Sequence, residues 1–408
     1  MLRWIIFVLI YSVLGFYAFQ ALKTATKVNW LHYLYIGVSL LAVINFIYQF
    51  SVGNEGRVIS ISMSYAFGFL LSVMAFNLVL IIFLFSEDII RFLAGLYTKF
   101  FGTSKEFVLP SRRRFLSLIG LGLASLPFGA LLYGMAKGKY NFKVLKYELA
   151  FDDLPDAFNG YQITQISDVH SGSFDDEEKI KYAINLINEQ KSDVLLFTGD
   201  MVNNTADEME PWKDIFSKLE AKDGKYSVLG NHDYGDYVNW DSDELKEANL
   251  DKLKEIQKEI GFDLLLNDSR FLQKGSDKIA LVGVENWGVG GFKKAGDLKK
   301  ATANVGKDDF KILMSHDPSH WEHEVINDDY HYHLTLSGHT HGMQFGIEIP
   351  GWIKWSPIKW RYRYWAGIYK EMGQYINVNR GFGFLGYPGR VGIWPEITVI
   401  TLKKKELA

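Results

Sequence analysis

The sequence predicts an all-α membrane region with four spans, followed by an α/β domain built in layers. Long uncharged apolar runs occur only in the first third, and short apolar runs later alternate with amphipathic segments. Residues 1–150 contain 14 Lys and Arg against 5 Asp and Glu, whereas residues 151–408 contain 30 against 42. A chain of 408 residues also exceeds one ordinary domain. We therefore expect a membrane region at 1–137, a connector at 138–160 and a soluble domain at 161–408.

Four apolar runs are long enough to cross a bilayer, at about 4–22, 30–50, 59–85 and 115–136. The first contains 19 uncharged residues, or about 28 Å of helix at roughly 1.5 Å per residue, which matches a bilayer core of roughly 30 Å. Transporters and channels usually carry ionisable side chains inside the membrane, and these runs contain no Asp, Glu, Lys or Arg. The pattern favours an anchor over a transport domain.

The distribution of Lys and Arg predicts the orientation of the spans. Cations gather in the loops on one side, at Lys23, Lys27, Arg91, Lys99, Lys105 and Arg112–Arg114. The positive-inside rule places these loops in the cytoplasm, so the fourth span would carry the following domain outward. Ser111–Leu116 also resembles a twin-arginine export signal. Alternatively, the three arginines only follow the positive-inside rule, and both interpretations predict the same side.

Composition excludes several classes of site and partner. The chain has no cysteine, so it has no disulfide, thiolate zinc site or cysteine nucleophile. The acidic balance of the soluble domain argues against a nucleic-acid partner, because phosphate neutralisation needs clustered Lys and Arg.

The soluble domain alternates predicted helices and strands. Amphipathic periodicity predicts helices at 175–189 and 241–260. Apolar runs predict strands at 194–197, 226–229, 264–266, 279–284, 311–314, 334–336 and 397–402. In such α/β domains, ligands bind outside the carboxyl ends of the strands.

Polar side chains follow the apolar runs at several strand ends, namely Asp168, His170, Asp200, Asn231, His232, Asp233, His316, His339 and His341. Residues two apart in an extended segment can point to the same side, which suits metal binding. Imidazole, carboxylate and amide ligands without thiolate suit Mn, Fe or Zn, and suit Mg less well. Even seven of these nine side chains would be too many ligands for one ion. Two divalent metal ions bridged by a carboxylate could clamp a phosphoryl group and generate hydroxide at neutral pH.

The order of these motifs resembles the calcineurin-like metallophosphoesterases over about residues 160–402. Residues 379–383 and 395–397 resemble the membrane-anchored bacterial branch of this family. The resemblance implies an α/β/β/α sandwich. Combined with the orientation above, it also implies that the catalytic domain lies on the periplasmic face of a bacterial inner membrane. It assigns the ligands of the first ion, which are Asp168, His170 and His341. It also assigns the ligands of the second ion, which are Asn231, His316 and His339.

In the same pattern Asp200 bridges the two ions. His232 would protonate the departing oxygen, and Asp233 would hold the His232 ring in the required orientation. Metal-bound hydroxide would attack phosphorus, so no phosphoenzyme is expected.

A tryptophan-rich segment and an arginine near the end of the domain are further candidates for contact with lipid or substrate. The segment 351–370 interleaves tryptophans with Lys and Arg, which suits an interfacial contact or a lipid-headgroup clamp, although an ordinary loop packed over the sheet would also fit. Arg380 is a candidate contact to a phosphate oxygen. The remaining histidines of the domain are interpreted as solvated, and they are His320, His323, His331 and His333.

The combined hypothesis is a membrane-anchored, dinuclear metal-dependent phosphohydrolase that cleaves a phosphoester or pyrophosphate bond. Its substrate would be a phosphorylated small molecule or a lipid-linked phosphate, and membrane lipids would surround its anchor. One alternative is a non-catalytic metal-binding sensor or interaction module. The other is a transport or signalling membrane domain that carries a regulatory phosphoesterase.

Overall fold

The computed structural model describes residues 2–52, 59–102, 110–349 and 351–405. The chain divides into two compact units. The first contains the helices up to Ala136 together with Gly386–Gly389, and the second contains Lys137–Leu385 and the chain from Arg390 onward. The loop cation Lys105 lies outside the described residues.

The first unit consists of four helices that are long and apolar enough to cross a membrane. They are α1 (Leu2–Ala25), α2 (Asn29–Val52), α3 (Ile61–Phe101) and α4 (Pro110–Ala136). The helices α1, α2 and α4 each contain a predicted span, whereas α3 begins two residues after the predicted start at Ile59 and extends 16 residues past the predicted end at Phe85. Within the bundle, the Tyr35 hydroxyl donates to Asn77 Oδ1 at 2.8 Å and satisfies this buried amide. The arginines 112–114 lie in the first turns of α4.

The second unit contains two six-stranded sheets. The strands of the first sheet, in spatial order, are β1 (Lys143–Phe151), β14 (Glu396–Lys404), β2 (Gln162–Ile166), β3 (Val194–Phe197), β4 (Lys225–Ser227) and β5 (Asp263–Leu264). The strands of the second are β12 (Gly367–Glu371), β13 (Gln374–Val378), β9 (Leu334–Ser337), β8 (Lys311–Met314), β7 (Asp277–Gly283) and β6 (Asp268–Lys274). Strands β2 to β5 of the first sheet are parallel to one another, and so are β7, β8, β9 and β13 of the second.

Besides short 3-10 turns, the remaining elements of this unit among the described residues are five α-helices and a two-stranded ribbon. The helices are α5 (Glu177–Asn188), α6 (Lys213–Phe216), α7 (Asp243–Ile260), α8 (Leu298–Ala301) and α9 (Pro318–His323). The ribbon consists of β10 (Ile347–Ile349) and β11 (Ile353–Trp355).

The two sheets pack face to face. Their shared core joins Ile163 and Leu196 of the first sheet to Leu281 and Ile312 of the second. The outer face of the first sheet buries apolar residues of α5 and α7, and the outer face of the second buries residues of α8 and α9. Burial of this apolar surface is the main force that assembles the layers. The unit is therefore an α/β/β/α sandwich, as expected from the resemblance.

The segment interpreted as a connector contributes a strand to the sandwich. β1 runs parallel to β14 from Lys143↔Glu396 to Phe151↔Lys404. It forms the edge of the first sheet, where its lysines and Glu148 remain accessible to solvent. Charged side chains are common on edge strands because they discourage pairing with other chains.

Candidate metal centre

The carboxyl ends of five strands meet on one side of the sandwich and deliver seven candidate ligands. β2 leads to Asp168 and His170, β3 to Asp200, β4 to Asn231, β8 to His316, and β9 to His339 and His341. All seven side chains are buried or nearly so. Parallel strands place their ends together, so the sequence order of the motifs becomes a spatial cluster.

The backbone of these loops is strained at the candidate ligands. Asp168, His170, Asp200, His339 and His341 all have positive φ angles, between 48° and 69°. A left-handed backbone costs a residue other than glycine of order 1–3 kcal/mol and is concentrated at functional sites. The surrounding fold holds these five residues in a costly conformation, which supports a role in a site.

Two glycines allow the loops to approach each other. A Cβ atom at Gly338 would collide with Ser167 and the carboxylate of Asp168, and one at Gly230 would collide with the carboxylate of Asp200. These glycines directly precede His339 and Asn231. Any other residue would separate the loops that carry the candidate ligands.

Asp168, His170 and His341 form the first cluster, and their ligand atoms lie within 4.8 Å of one another. The His341 Nε2 atom lies 3.0 Å from His170 Nε2 and 3.3 Å from Asp168 Oδ1. Two imidazole nitrogens and a carboxylate oxygen thus face one small volume.

Asp200, His316 and His339 form the second cluster within the same limit. Asn231 joins it, because its Oδ1 atom lies 2.8 Å from His339 Nδ1. The Oδ2 atom of Asp200 lies 3.1 Å from His316 Nε2 and 3.6 Å from His170 Nε2. Asp200 therefore lies between the clusters, where a bridging ligand would lie.

The donor set fits two divalent ions. The buried His316 Nε2 atom makes no hydrogen bond within the described part of the chain, although it faces Asp200. Burial opposes ionisation of Asp168 and Asp200, yet the neighbouring imidazoles hold the pKa of both carboxyls below the ordinary value. Burial lowers the pKa of His170 and His339, which favours the neutral, ligating form. Converging carboxylate, imidazole and amide groups without thiolate suit borderline or hard divalent metals.

Three of the four imidazoles are oriented by acceptors at the nitrogen that faces away from the clusters. His170 Nδ1 lies 3.1 Å from Asn203 Oδ1, and His316 Nδ1 lies 2.7 Å from the carbonyl oxygen of Thr198. His339 Nε2 lies 2.8 Å from the Tyr362 hydroxyl. Such partners fix the tautomer and ring orientation of metal-ligating histidines.

The fourth imidazole, that of His341, has the cation Arg390 next to the nitrogen that faces away from the first cluster. Arg390 is fully buried, and its Nη2 atom lies 3.3 Å from His341 Nδ1. Its guanidinium donates to the carbonyl oxygens of Gly381 and Gly383, and no carboxylate pairs with it among the residues that the structure describes. Burial lowers the pKa of Arg390 to about 9. Arg390 thus places positive charge directly behind the first cluster.

The structure corrects the expected pairing of His232 with Asp233. His232 Nδ1 lies 2.7 Å from the carbonyl oxygen of Asn203. The buried Asp233 carboxylate instead accepts from the backbone N–H groups of Asp200, Met201 and Gly230, at 2.8–2.9 Å. Burial and the nearby Asp200 raise the pKa of Asp233 to about 7. Asn203 therefore orients the His232 ring, and Asp233 fastens the loops that carry Asp200 and Asn231.

Arg380 and two other histidines also differ from expectation. The Arg380 guanidinium is buried and engaged by Glu396 at 2.5 Å and by Glu348 at 2.6 Å, so its charge is directed to these carboxylates. His320 and His333 are buried, contrary to the expectation of solvated side chains. His320 is stacked on Trp287 with ring centroids 4.9 Å apart, and His333 on Phe310 at 4.1 Å.

Sequence reasoning missed Asn203, Tyr362 and Arg390. Asn203 follows Asp200 by three residues in the same loop, and this proximity was the available signal. Tyr362 and Arg390 lie 21 and 49 residues beyond His341, outside the motifs that predict the candidate ligands. Only the folded chain brings them to the centre.

Comparison with known proteins agrees with this geometry. The description "Calcineurin-like phosphoesterase" belongs to the family model that matches residues 161–343. Residues 2–139 match a second model, "Probable Calcineurin-like phosphoesterase, transmembrane domain".

Three relatives illustrate how widely the similarity extends. The chain is 31% identical over 302 residues to an uncharacterized metallophosphoesterase, YkuE, of Bacillus subtilis, covering 72% of this chain and 98% of that protein. It is 28% identical to the phosphodiesterase YaeI of Escherichia coli, over 72% of this chain and 99% of that protein. An uncharacterized metallophosphoesterase of Helicobacter pylori is 24% identical over the full length of both chains. The chain belongs to the calcineurin-like phosphoesterase family, and it is a phosphoester hydrolase with a transmembrane domain.

Proposed function

We propose that the enzyme hydrolyses a phosphoester or pyrophosphate bond at a dinuclear metal centre. The observation that carries the proposal is the position of Asp200 between two clusters of candidate ligands. One cluster offers a carboxylate and two imidazoles, and the other offers an amide and two imidazoles. When bound, two divalent ions would neutralise the phosphoryl charge and activate a water molecule. Mn, Fe or Zn suits the ligands, and Mg suits them less well.

The residues of the site would have two roles, which are to bind the metal ions and to donate a proton. Asp168, His170 and His341 would hold the first ion, and Asn231, His316 and His339 would hold the second, with Asp200 shared.

His232 would donate a proton to the leaving oxygen. With its Nδ1–H directed to the Asn203 carbonyl oxygen, the ring would donate from Nε2, and it must carry a proton on both nitrogens to do so. The His232 and His170 rings lie 4.9 Å apart, so the donor is adjacent to the first cluster.

We further propose that the substrate is a phosphate linked to a lipid and that the domain faces the periplasm of a bacterial cell. Four membrane spans support proximity to lipids, and the cluster of Arg112–Arg114 at the start of α4 supports the orientation through the positive-inside rule. The twin-arginine-like sequence would serve the same orientation.

The test uses the full chain in nanodiscs. Metal-depleted protein receives Mn, Zn or Mg in turn and is offered water-soluble monoesters, diesters and lipid phosphates. Hydrolysis should require metal and should fall strongly in Asp200→Asn, which removes the shared carboxylate. The matched control is Asp207→Asn, because Asp207 is exposed and pairs with Lys252 at 2.6 Å. Equal rates in Asp200→Asn and Asp207→Asn would refute the dinuclear mechanism, and activity on soluble esters alone would refute the lipid substrate.

A further inference from the structure

The ribbon β10–β11 has apolar side chains on its outward face, and the charged groups of its other face contact the domain, although Lys354 itself is exposed. Its register pairs Ile347 with Trp355 and Ile349 with Ile353, which places these four side chains on one face. Glu348 and Lys354 pair with each other on the opposite face. An antiparallel ribbon on a soluble protein normally shows the reverse pattern.

The inward face is fastened to the domain by polar contacts. Glu348 accepts two hydrogen bonds from Arg380, at 2.6 and 3.0 Å. Lys354 Nζ donates to the carbonyl oxygen of Ala366 and lies 5.3 Å from the Trp365 ring centroid. These contacts fix the orientation of the ribbon, so the exposure of its apolar face is not the result of a loose loop.

The outward face is open to solvent. Ile347 is 51% exposed and Ile349 is 43% exposed. Trp352, in the turn between the strands, and Trp360, which packs edge-on against Trp355 at 6.1 Å, are each 76% exposed. Exposed apolar patches of this kind mark contact sites for proteins or membranes.

The local charge distinguishes these two partners. Residues 351–370 contain five Lys and Arg and no Asp or Glu, although acidic residues outnumber basic ones by 42 to 30 over residues 151–408. Lys359 and Arg361 are exposed beside Trp360. Tryptophan next to Lys or Arg is the composition of a membrane interface, where anionic headgroups attract the cations.

We propose that the outward face of β10–β11 together with Trp352 and Trp360, here called the aromatic ribbon, inserts into the surface of an anionic lipid bilayer. The domain follows the fourth membrane helix directly in sequence, so a bilayer is always within reach of the chain.

The aromatic ribbon is also joined to the metal centre through the chain that follows it. Arg361 lies 5.2 Å from the Phe292 ring centroid, and that ring lies 4.7 Å from the His339 ring. Insertion would place the metal centre beside lipid headgroups. The inference goes beyond the proposed function and does not depend on catalysis.

Depth-dependent fluorescence quenching tests the inference. The chain has no cysteine, so Ile349→Cys and the control Tyr182→Cys each provide one labelling site. Tyr182 lies on α5 and is 55% exposed, comparable to Ile349. Each full-length variant carries an environment-sensitive fluorophore in nanodiscs that contain phosphatidylglycerol and nitroxide-labelled lipids. We expect blue-shifted emission and strong quenching at position 349, because interfacial segments insert roughly 5–10 Å. The label at position 182 should resemble one in water.

Further variants separate the contribution of the tryptophans from that of the positive charge. The double variant Trp352→Ser, Trp360→Ser should reduce quenching at position 349. Lys359→Glu should reduce the dependence of that quenching on phosphatidylglycerol. Equal quenching at positions 349 and 182 would overturn the inference. A label at 349 that is blue-shifted and shielded from aqueous iodide, yet not quenched by lipid, would also overturn it, because the face would then be covered by protein such as a second copy. None of these readouts requires activity, so failure of the proposed function would leave the result interpretable.

Discussion

His232 donates a hydrogen bond from Nδ1 to the backbone carbonyl oxygen of Asn203, at 2.7 Å. The side chain of the same asparagine accepts from His170 Nδ1 at 3.1 Å. Asn203 thus orients the proposed proton donor through its main chain and a candidate metal ligand through its side chain. Substitution of the side chain should therefore affect only one of the two functions.

Asn203→Ala should weaken binding of the first ion. The carbonyl oxygen that orients His232 remains, whereas His170 loses the acceptor that fixes its tautomer. Loss of such a partner typically lowers metal affinity about 10–100-fold. Competition with a chromogenic chelator measures the affinity, and activity at saturating metal should recover most of the original rate.

Two variants control the Asn203 experiment. Asn203→Asp keeps an acceptor for His170 and should retain most of the affinity. Asn204→Ala changes the neighbouring residue, whose side chain bonds to Glu208, and should leave metal affinity unchanged. A loss in Asn204→Ala equal to that in Asn203→Ala would indicate general disruption of the loop.

Asp233→Ala should destabilise the domain as well as the site. Its carboxylate satisfies three buried backbone N–H groups, and each unsatisfied group costs about 1–3 kcal/mol. We expect a lower midpoint of thermal unfolding, measured by tryptophan fluorescence on metal-depleted protein. His232→Ala removes a partly exposed ring and should shift the midpoint much less. Equal shifts would contradict the role assigned to Asp233.

The positions of the candidate ligands could be predicted from the sequence because each of these residues follows a strand within a few residues. Asp168 follows β2 and Asp200 follows β3 closely, and parallel neighbours bring their carboxyl ends together. Residues that follow different strands in the sequence therefore lie close together in the folded domain. The strands themselves were predicted best where they are fully buried, as at Val194–Phe197 and Lys311–Met314.

The orientation of the side chains could not be predicted in the same way. His232 and Asp233 are adjacent, but they lie in a 3-10 turn, where successive side chains point about 120° apart. Arg380 looked available for phosphate because its partners Glu348 and Glu396 are 32 and 16 residues away. The segment that forms the edge strand β1 is basic and contains tyrosine, which predicts a connector, whereas its pairing with the distant strand β14 is visible only in the folded domain. In each case long-range contacts decided the outcome.

His232→Ala should lower turnover in a manner that depends on the leaving group. A general acid contributes typically about 10²–10⁴-fold, and most where the departing oxygen is a poor leaving group. An alkyl phosphate should therefore lose far more rate than a nitrophenyl phosphate, while metal affinity stays near that of the unmodified enzyme. The dependence of rate on leaving-group pKa measures this. A uniform loss across substrates would assign His232 to positioning instead of proton transfer.

Binding of the second ion should release about one proton near neutral pH, because a ligating imidazole must be deprotonated. Burial works against a proton on His316, but the adjacent Asp200 carboxylate outweighs it and raises the pKa of His316 to about 10. Metal-free protein at pH 7 therefore carries that proton, and the metal must displace it. The apparent affinity should rise with pH up to about tenfold per unit below that pKa. Calorimetry in buffers of different ionisation enthalpy counts the protons. His339, the other imidazole assigned to the second ion, has a lowered pKa and should add none, so proton-free binding between pH 6 and 8 would show that His316 is already neutral.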